Sequence, residues 1–89
     1  MFYYVYILRS LKDKRFYIGF TDDLKKRVAE HNKNKNLSTK NRGPWRLIFY
    51  EAYLNKYDAL RREKYLKSTK GWTTIKTMLS EYLKDNPWP

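Results

Sequence analysis

The order of apolar and polar residues along the chain predicts three strands. Residues 2–9 and Phe16–Phe20 are apolar and aromatic runs on either side of the polar segment Ser10–Lys14, which indicates two antiparallel strands joined by a turn. Residues 2–9 are apolar at odd and even positions alike, as is typical of a central strand covered on both faces. Trp45–Tyr53 is a third such run, and Trp45 is interpreted as a core or sheet-edge anchor. We therefore expect a small sheet with helices on both faces.

The segment after the second strand has helical spacing. At about 100° per residue, Leu24, Val28 and His31 fall on one stripe. Thr21 or Asp22 is placed to cap the N-terminus of this helix, where a side-chain oxygen accepts hydrogen bonds from free backbone N–H groups. The sequence therefore predicts a first helix whose inner stripe ends at the histidine.

Two further helices are predicted in the C-terminal half. The second runs from about Tyr57 to Lys67 and is capped by Asn55 or Asp58, and Ser68–Gly71 is expected to break it. The third begins near Trp72. Its apolar stripe consists of Trp72, Ile75, Met78, Leu79, Tyr82 and Leu83. The predicted fold class is α/β (α+β), a small three-stranded antiparallel sheet flanked by helices in the order ββαβαα.

The hairpin brings two tyrosines to one face of the sheet. If the turn centres on Lys12-Asp13, Tyr6 lies opposite Gly19 and Leu8 lies opposite Tyr17. Because side chains alternate between faces, the two phenols then share a face. Glycine removes a side chain between them, so we expect a gap that could admit a phosphate. The alternative is that the tyrosines simply fill the core of a strand-rich fold.

The first helix adds a cation and the only histidine to the same face. Arg27 lies at the edge of the stripe that ends at His31, whereas Lys25, Lys26 and Lys33 point away from it. A lone histidine on an apolar face is more often a hydrogen-bonded core residue than a catalyst. Convergence of two phenols, a guanidinium and an imidazole nevertheless favours a reactive site.

The second helix carries a carboxylate in an unusual place. Glu63 lies in the middle of the apolar stripe formed by Ala59, Leu60 and Leu66. A carboxylate near a core is costly unless it is paired with a cation or bound to a metal. Glu63 is therefore either a metal ligand or the partner of an arginine, such as Arg27, in a structural ion pair, and the sequence leaves both interpretations open.

Composition limits the chemistry and the partners. The chain has 89 residues, enough for one domain over residues 1–89. It has 20 Lys and Arg against nine Asp and Glu, a net charge of +11, which favours a polyanion such as nucleic acid over an anionic membrane. There is no cysteine and only one histidine, so thiolate chemistry and a multi-histidine metal cage are excluded and any metal needs oxygen ligands. No signal peptide or membrane-spanning run is found, and we expect a cytoplasmic protein.

Candidate nucleic-acid contacts lie mainly in one loop. The segment Lys33–Arg42 is rich in Asn and Lys and predicts an exposed basic loop. We take Lys35, Lys40 and Arg42 from this loop, together with Gly19, as predicted nucleic-acid-binding residues. A plain solvated loop is the alternative for any single lysine.

The ordered set of motifs resembles the GIY-YIG nuclease family, most closely its small stand-alone bacterial members. The resemblance covers nearly the whole chain, with one departure, Tyr4 in the place of the first glycine of the family name. The matching motifs are Tyr4-Val5-Tyr6, Tyr17-Ile18-Gly19, Arg27 with His31, Arg42-Gly43-Pro44-Trp45-Arg46-Leu47 and Arg62-Glu63-Lys64.

The resemblance implies a metal-dependent endonuclease that hydrolyses DNA phosphodiester bonds in repair or recombination. It implies that Tyr6 or Tyr17 is the base, acidified by neighbouring cations, that Arg27 clamps the scissile phosphate, and that His31 orients a tyrosine or the water. It further implies that Glu63 holds Mg²⁺ (or Mn²⁺). The alternatives are a non-catalytic nucleic-acid-binding module and an accessory partner of a repair complex. The substrate structure and the oligomeric state stay open.

Overall fold

The three predicted strands form one antiparallel sheet in a computed structural model that describes all residues from Met1 to Pro89. They are β1 (Tyr3–Ser10), β2 (Phe16–Thr21) and β3 (Trp45–Tyr53), arranged in the order β2-β1-β3. Residues 5–10 of β1 are all buried. The prediction that the first strand is central and covered on both faces is confirmed.

Four helices complete the fold: α1 (Leu24–Asn32), α2 (Lys56–Leu66), α3 (Thr69–Met78) and α4 (Ser80–Asp85). The predicted order ββαβαα is confirmed, and the last predicted helix is divided at Leu79 into α3 and α4. The longest helix has 11 residues, and none combines the length and the apolar character that crossing a membrane requires.

The N-termini of α1 and α2 are capped by side chains. Asp23, and neither Thr21 nor Asp22, is the N-cap of α1, because its carboxylate accepts a hydrogen bond from the Lys26 backbone N–H at 3.1 Å. Thr21 instead accepts from the Asp23 N–H at 3.0 Å and closes the turn before the helix. Asn55, one of the two predicted caps, caps α2.

The junction between α2 and α3 differs from the prediction. Ser68 caps α3, since its hydroxyl accepts a hydrogen bond from the Gly71 N–H at 3.1 Å, so the helix begins at Thr69 and Gly71 lies inside it. A Cβ at Gly71 would collide with the backbone carbonyl of Tyr65 and with the backbone of Leu66. Glycine here permits close packing of two helices rather than ending one.

The sheet separates two clusters of buried residues. The larger cluster lies between the sheet and the helices α2 and α3, and consists of Val5, Ile7, Ala59, Leu66 and Ile75. The smaller cluster lies under α1, and consists of Tyr6, Leu8 and Trp45 with Tyr17, Leu24, Val28 and Leu47 packed against it. Alternate residues of β1 therefore enter opposite clusters. Trp45 is a core residue, as predicted.

A buried arginine fastens the C-terminus. Arg9 is 4% exposed and donates through Nη1 to the carbonyl of Asn86 at 2.6 Å and through Nη2 to the carbonyl of Pro87 at 2.7 Å. The ring of Trp88 then packs edge-on against Phe16, with 4.8 Å between centroids. Contacts with β1 and β2 thus hold the residues that follow α4.

Candidate active site

The hairpin register predicted from the sequence is confirmed. Tyr6 pairs with Gly19 and Leu8 pairs with Tyr17, and the ring centroids of the two tyrosines are 6.3 Å apart. The expected gap over Gly19 is not there. A Cβ on Gly19 would collide with Cζ and the hydroxyl of Tyr6, so the tyrosine ring itself occupies this space. Gly19 is buried beneath that ring. Its predicted role as a nucleic-acid contact depended on an open gap, and the structure has none at this position.

A chain of buried hydrogen bonds runs through the imidazole. The Tyr6 hydroxyl lies 2.8 Å from Nε2 of His31, and Nδ1 of His31 lies 2.7 Å from Oγ1 of Thr39. Tyr6 is 1% exposed, and His31 and Thr39 are fully buried. Tyr17 is half-buried and packs its ring 4.9 Å from the imidazole centroid. The structure thus brings Tyr6, Tyr17 and His31 together.

Burial controls the protonation of Tyr6. Burial raises the pKa of Tyr6, the neighbouring Tyr17 and the charges of Glu63 and Glu30 raise it further, and the charge of Arg27 opposes them. The expectation that neighbouring cations acidify the phenol is therefore wrong for Tyr6, because loss of solvent outweighs the guanidinium. At neutral pH this hydroxyl carries its proton.

The imidazole of His31 is held in its neutral form. Burial lowers its pKa, the nearby charge of Arg27 lowers it further, and Glu30 partly offsets that effect. A neutral imidazole has one free lone pair and can accept a proton.

Arg27 lies at the rim of the cluster. Its guanidinium Nε is 3.3 Å from the carboxylate of Glu30, and its side chain is partly exposed. Its charge affects the pKa of both Tyr6 and His31, so it is near both groups. The guanidinium is therefore a partly exposed positive charge beside the buried tyrosine and histidine.

Glu63 reaches the same site from α2. Its side chain is 20% exposed, and its carboxylate pairs with Lys67 at 3.0 Å rather than with Arg27. Its charge raises the pKa of Tyr6, which places it within electrostatic reach of the tyrosine hydroxyl. No group of three or more His, Cys, Asp or Glu side chains is gathered at one place. Mg²⁺ commonly takes one or two protein carboxylates and completes its shell with water and substrate phosphates, so a lone Glu63 fits that metal.

The three predicted nucleic-acid-binding residues of the basic loop differ in whether their charges are free to contact a ligand. Lys35 and Lys40 are exposed. Arg42 pairs with Asp13 at 3.1 Å and lies 4.9 Å above the ring of Trp45, so its guanidinium is engaged within the protein. The predicted nucleic-acid contact of Arg42 thus competes with a structural one.

Thr39 was not found by sequence reasoning. It lies in a segment of Asn, Lys, Ser and Thr in which nothing distinguishes one hydroxyl from another. One indirect signal existed: a buried tryptophan N–H requires an acceptor. Nε1 of Trp45 donates to the carbonyl of Thr39 at 3.2 Å, which draws the loop inward.

The nuclease family that the motifs resemble combines two hairpin tyrosines with an arginine and a histidine on the next helix and a glutamate on the helix after β3. This chain has the same residue types in the same order. The chain matches the GIY-YIG catalytic domain over residues 2–76 and belongs to the GIY-YIG family, a nuclease family whose members act on nucleic acid.

Its relatives within that family are UPF0213 proteins. One from Clostridium perfringens is 36% identical over 83 residues, covering 92% of this chain and 88% of the relative. One from Lacticaseibacillus paracasei is 47% identical over 66 residues, 73% of each chain. The solution NMR structure of a UPF0213 protein from Bacillus halodurans matches with a TM-score of 0.54 and 34% identity, covering 88% of this chain and 85% of that one. The family and the fold expected from the sequence are both confirmed.

Proposed function

We propose that this protein is a metal-dependent endonuclease that hydrolyses DNA phosphodiester bonds, serving DNA repair or recombination. The observation that carries the proposal is the meeting of three elements at one hydroxyl. The Tyr6 hydroxyl contacts His31 on α1, and the Tyr6 ring packs beside Tyr17 on β2. The opposite charges of Arg27 on α1 and Glu63 on α2 both affect the pKa of this hydroxyl. Hydrolysis of a phosphodiester needs a base, a cation for the phosphate and stabilisation of the leaving oxygen.

The two tyrosines receive different roles. Taking a proton from water requires that a phenol pass its own proton on, and Tyr6 is in contact with a neutral acceptor, Nε2 of His31. Water would give its proton to the Tyr6 oxygen as the Tyr6 proton moves to Nε2, so no free phenolate forms and the hydroxide attacks phosphorus. Tyr17 is half-buried and would orient the water or a phosphate oxygen.

The charged groups act on the phosphate. Arg27 would bind the scissile phosphate through its planar set of donors and offset the charge that grows in the transition state. Glu63 would hold Mg²⁺ or Mn²⁺, with water and phosphate oxygens as the other ligands, and would release Lys67 on doing so. When bound, such a cation supplies Lewis-acid stabilisation of the leaving oxygen.

DNA is the proposed partner because of charge. The net charge of +11 and the exposed Lys35 and Lys40 supply the electrostatic part of binding to a phosphate backbone. A cytoplasmic location, as expected from the sequence, would give access to this substrate.

The proposal is tested on labelled duplex, nicked, branched and single-stranded DNA, each with and without Mg²⁺ or Mn²⁺. Glu63→Gln should lose cleavage, whereas the control Lys67→Gln removes the same ion pair, keeps the carboxylate and should still cut. Both variants should keep the thermal stability of the parent within a small margin, because an exposed helical ion pair contributes only about 0.3–0.5 kcal/mol. If the parent protein binds these substrates and cuts none with either metal, it is a binding module instead. Metal-dependent cleavage that survives in Glu63→Gln would remove Glu63 from the metal site.

A further inference from the structure

We propose that Thr39 is a positioning residue that fixes the tautomer of His31 and thereby keeps Nε2 as the proton acceptor for Tyr6. The tautomer follows from the hydrogen-bond geometry around a neutral imidazole. Its consequence for catalysis rests on the proposed endonuclease function.

The direction of the hydrogen-bond chain begins at Tyr6. Its hydroxyl is buried and contacts one partner, Nε2 of His31 at 2.8 Å. A buried hydroxyl proton without an acceptor costs about 1–3 kcal/mol, so the Tyr6 O–H donates to Nε2. A neutral imidazole carries one proton, and that proton must then lie on Nδ1.

The direction at the other end agrees. Nδ1 of His31 lies 2.7 Å from Oγ1 of Thr39, and Oγ1 lies 3.5 Å from the carbonyl oxygen of Asn36. With the proton on Nδ1, the Oγ1 lone pair accepts Nδ1–H, and the threonine hydroxyl donates to the Asn36 carbonyl at the outer limit of hydrogen-bond distance. The chain therefore runs from Tyr6 through His31 and Thr39 to Asn36, every donor facing an acceptor.

Removal of the threonine hydroxyl removes the preference for the proton on Nδ1. Without it, Nδ1–H of His31 would be buried without an acceptor, whereas a proton on Nε2 would leave the Tyr6 O–H without one, so the two tautomers become comparable in energy. In molecules with the proton on Nε2, Tyr6 has no lone pair to which its own proton could pass. The position of the acceptor on Nδ1 thus decides whether the tyrosine can act as a base.

Backbone contacts hold Thr39 against the imidazole. Its carbonyl accepts from Nε1 of Trp45 and from the Arg42 N–H, both at 3.2 Å, and its N–H donates to Asn36 at 3.2 Å. The hydroxyl of Ser10 donates to the carbonyl of Arg42 at 2.6 Å, which ties this part of the loop to β1. These contacts hold the part of the loop that carries Thr39 at a fixed position beside His31.

Nitrogen NMR of the imidazole tests the tautomer directly. The chain has one histidine, so the two ring-nitrogen signals of 15N-labelled protein belong to His31 without ambiguity. The parent protein should show a proton on Nδ1. Thr39→Val, of similar size but without the hydroxyl, should move the proton to Nε2 or to a mixture, and Thr39→Ser should restore Nδ1–H. The control Ser38→Ala, which removes an exposed hydroxyl next in the chain, should change nothing.

Kinetics then test the consequence. In Thr39→Val, kcat should fall by about 10- to 100-fold, a part of the about 10²–10⁴-fold that a positioned base contributes, with KM unchanged and with recovery in Thr39→Ser. A parent spectrum with the proton on Nε2 overturns the inference, as does a folded Thr39→Val with the parent tautomer. An altered tautomer with the parent kcat removes the catalytic part.

The spectra decide the tautomer even if Thr39→Val does not fold or the parent protein does not cut DNA. If Thr39→Val does not fold, the parent spectrum and Thr39→Ser still decide the tautomer. If the parent cuts no substrate, the endonuclease proposal fails while the spectra still establish or overturn the role of Thr39.

Discussion

The two faces of β1 bury different kinds of side-chain contact. On one face Val5 and Ile7 are fully buried among aliphatic side chains from α2 and α3. On the other face Tyr6 is equally buried, yet its hydroxyl is hydrogen-bonded to an imidazole. Because successive residues point to opposite faces, odd positions of β1 enter the core under α2 and α3, and even positions enter the cluster under α1 that contains the candidate site. Substitutions on the site face should therefore lower cleavage, whereas substitutions on the core face should lower the free energy of unfolding.

The largest effect should come from removing one oxygen on the site face. Tyr6→Phe should lower cleavage by about 10²–10⁴-fold, because the proton path to His31 is broken. It should cost about 1–3 kcal/mol of unfolding free energy, since Nε2 loses its donor. Tyr17→Phe serves as the matched variant and should only slow cleavage. A larger loss in Tyr17→Phe than in Tyr6→Phe would transfer the role of base to Tyr17.

A change in guanidinium geometry should have the next largest effect. Arg27→Lys keeps the charge and loses the planar donors, so DNA binding in an anisotropy assay should persist while cleavage falls by about 10²-fold. Arg61→Lys is the control, because Arg61 also pairs with a carboxylate three residues away, Asp58, and lies outside the cluster. Equal cleavage by the two variants would remove Arg27 from the site.

On the core face the effect should appear in stability. Ile7→Ala should lower the free energy of unfolding in urea by about 2–5 kcal/mol, through lost burial and the cavity left behind. Cleavage per folded molecule, measured at low temperature, should stay at the parent level. Leu54→Ala, at a 76% exposed leucine, should change neither quantity. A selective loss of cleavage in Ile7→Ala would show that the two faces are coupled.

The smallest effect should be a pH dependence that belongs to the site face. Because the folded pKa of His31 lies below its ordinary value of 6.5, the unfolded chain binds a proton more readily. Protonation of His31 therefore favours the unfolded chain. The free energy of unfolding is unaffected by His31 above pH 6.5 and decreases as the pH falls toward the folded pKa. A tenfold difference in proton affinity corresponds to about 1.4 kcal/mol. Urea unfolding between pH 7.5 and 5.5 should show the slope in the parent and lack it in His31→Gln.

The sequence predicted features that depend on local pattern and missed features that depend on contacts between distant segments. The position of the turn at Lys12-Asp13 predicted the register of Tyr6 with Gly19, and the apolar runs predicted the central strand, because both depend on local pattern. Thr39 escaped prediction because its contact with His31 depends on how a polar loop folds back, which no periodicity encodes. Gly71 was misjudged for a related reason. Its lack of a side chain serves a contact between helices, and sequence alone cannot distinguish that from a helix end.

Gly19 is the position at which one added carbon atom would disturb the contact between Tyr6 and His31. The ring of Tyr6 fills the space above this glycine, so any side chain there would displace the phenol from the imidazole. The residues of β1 that build the opposite core would keep their places. A single codon change at Gly19 should therefore separate the phenol from the imidazole and leave the core between the sheet and α2 and α3 in place.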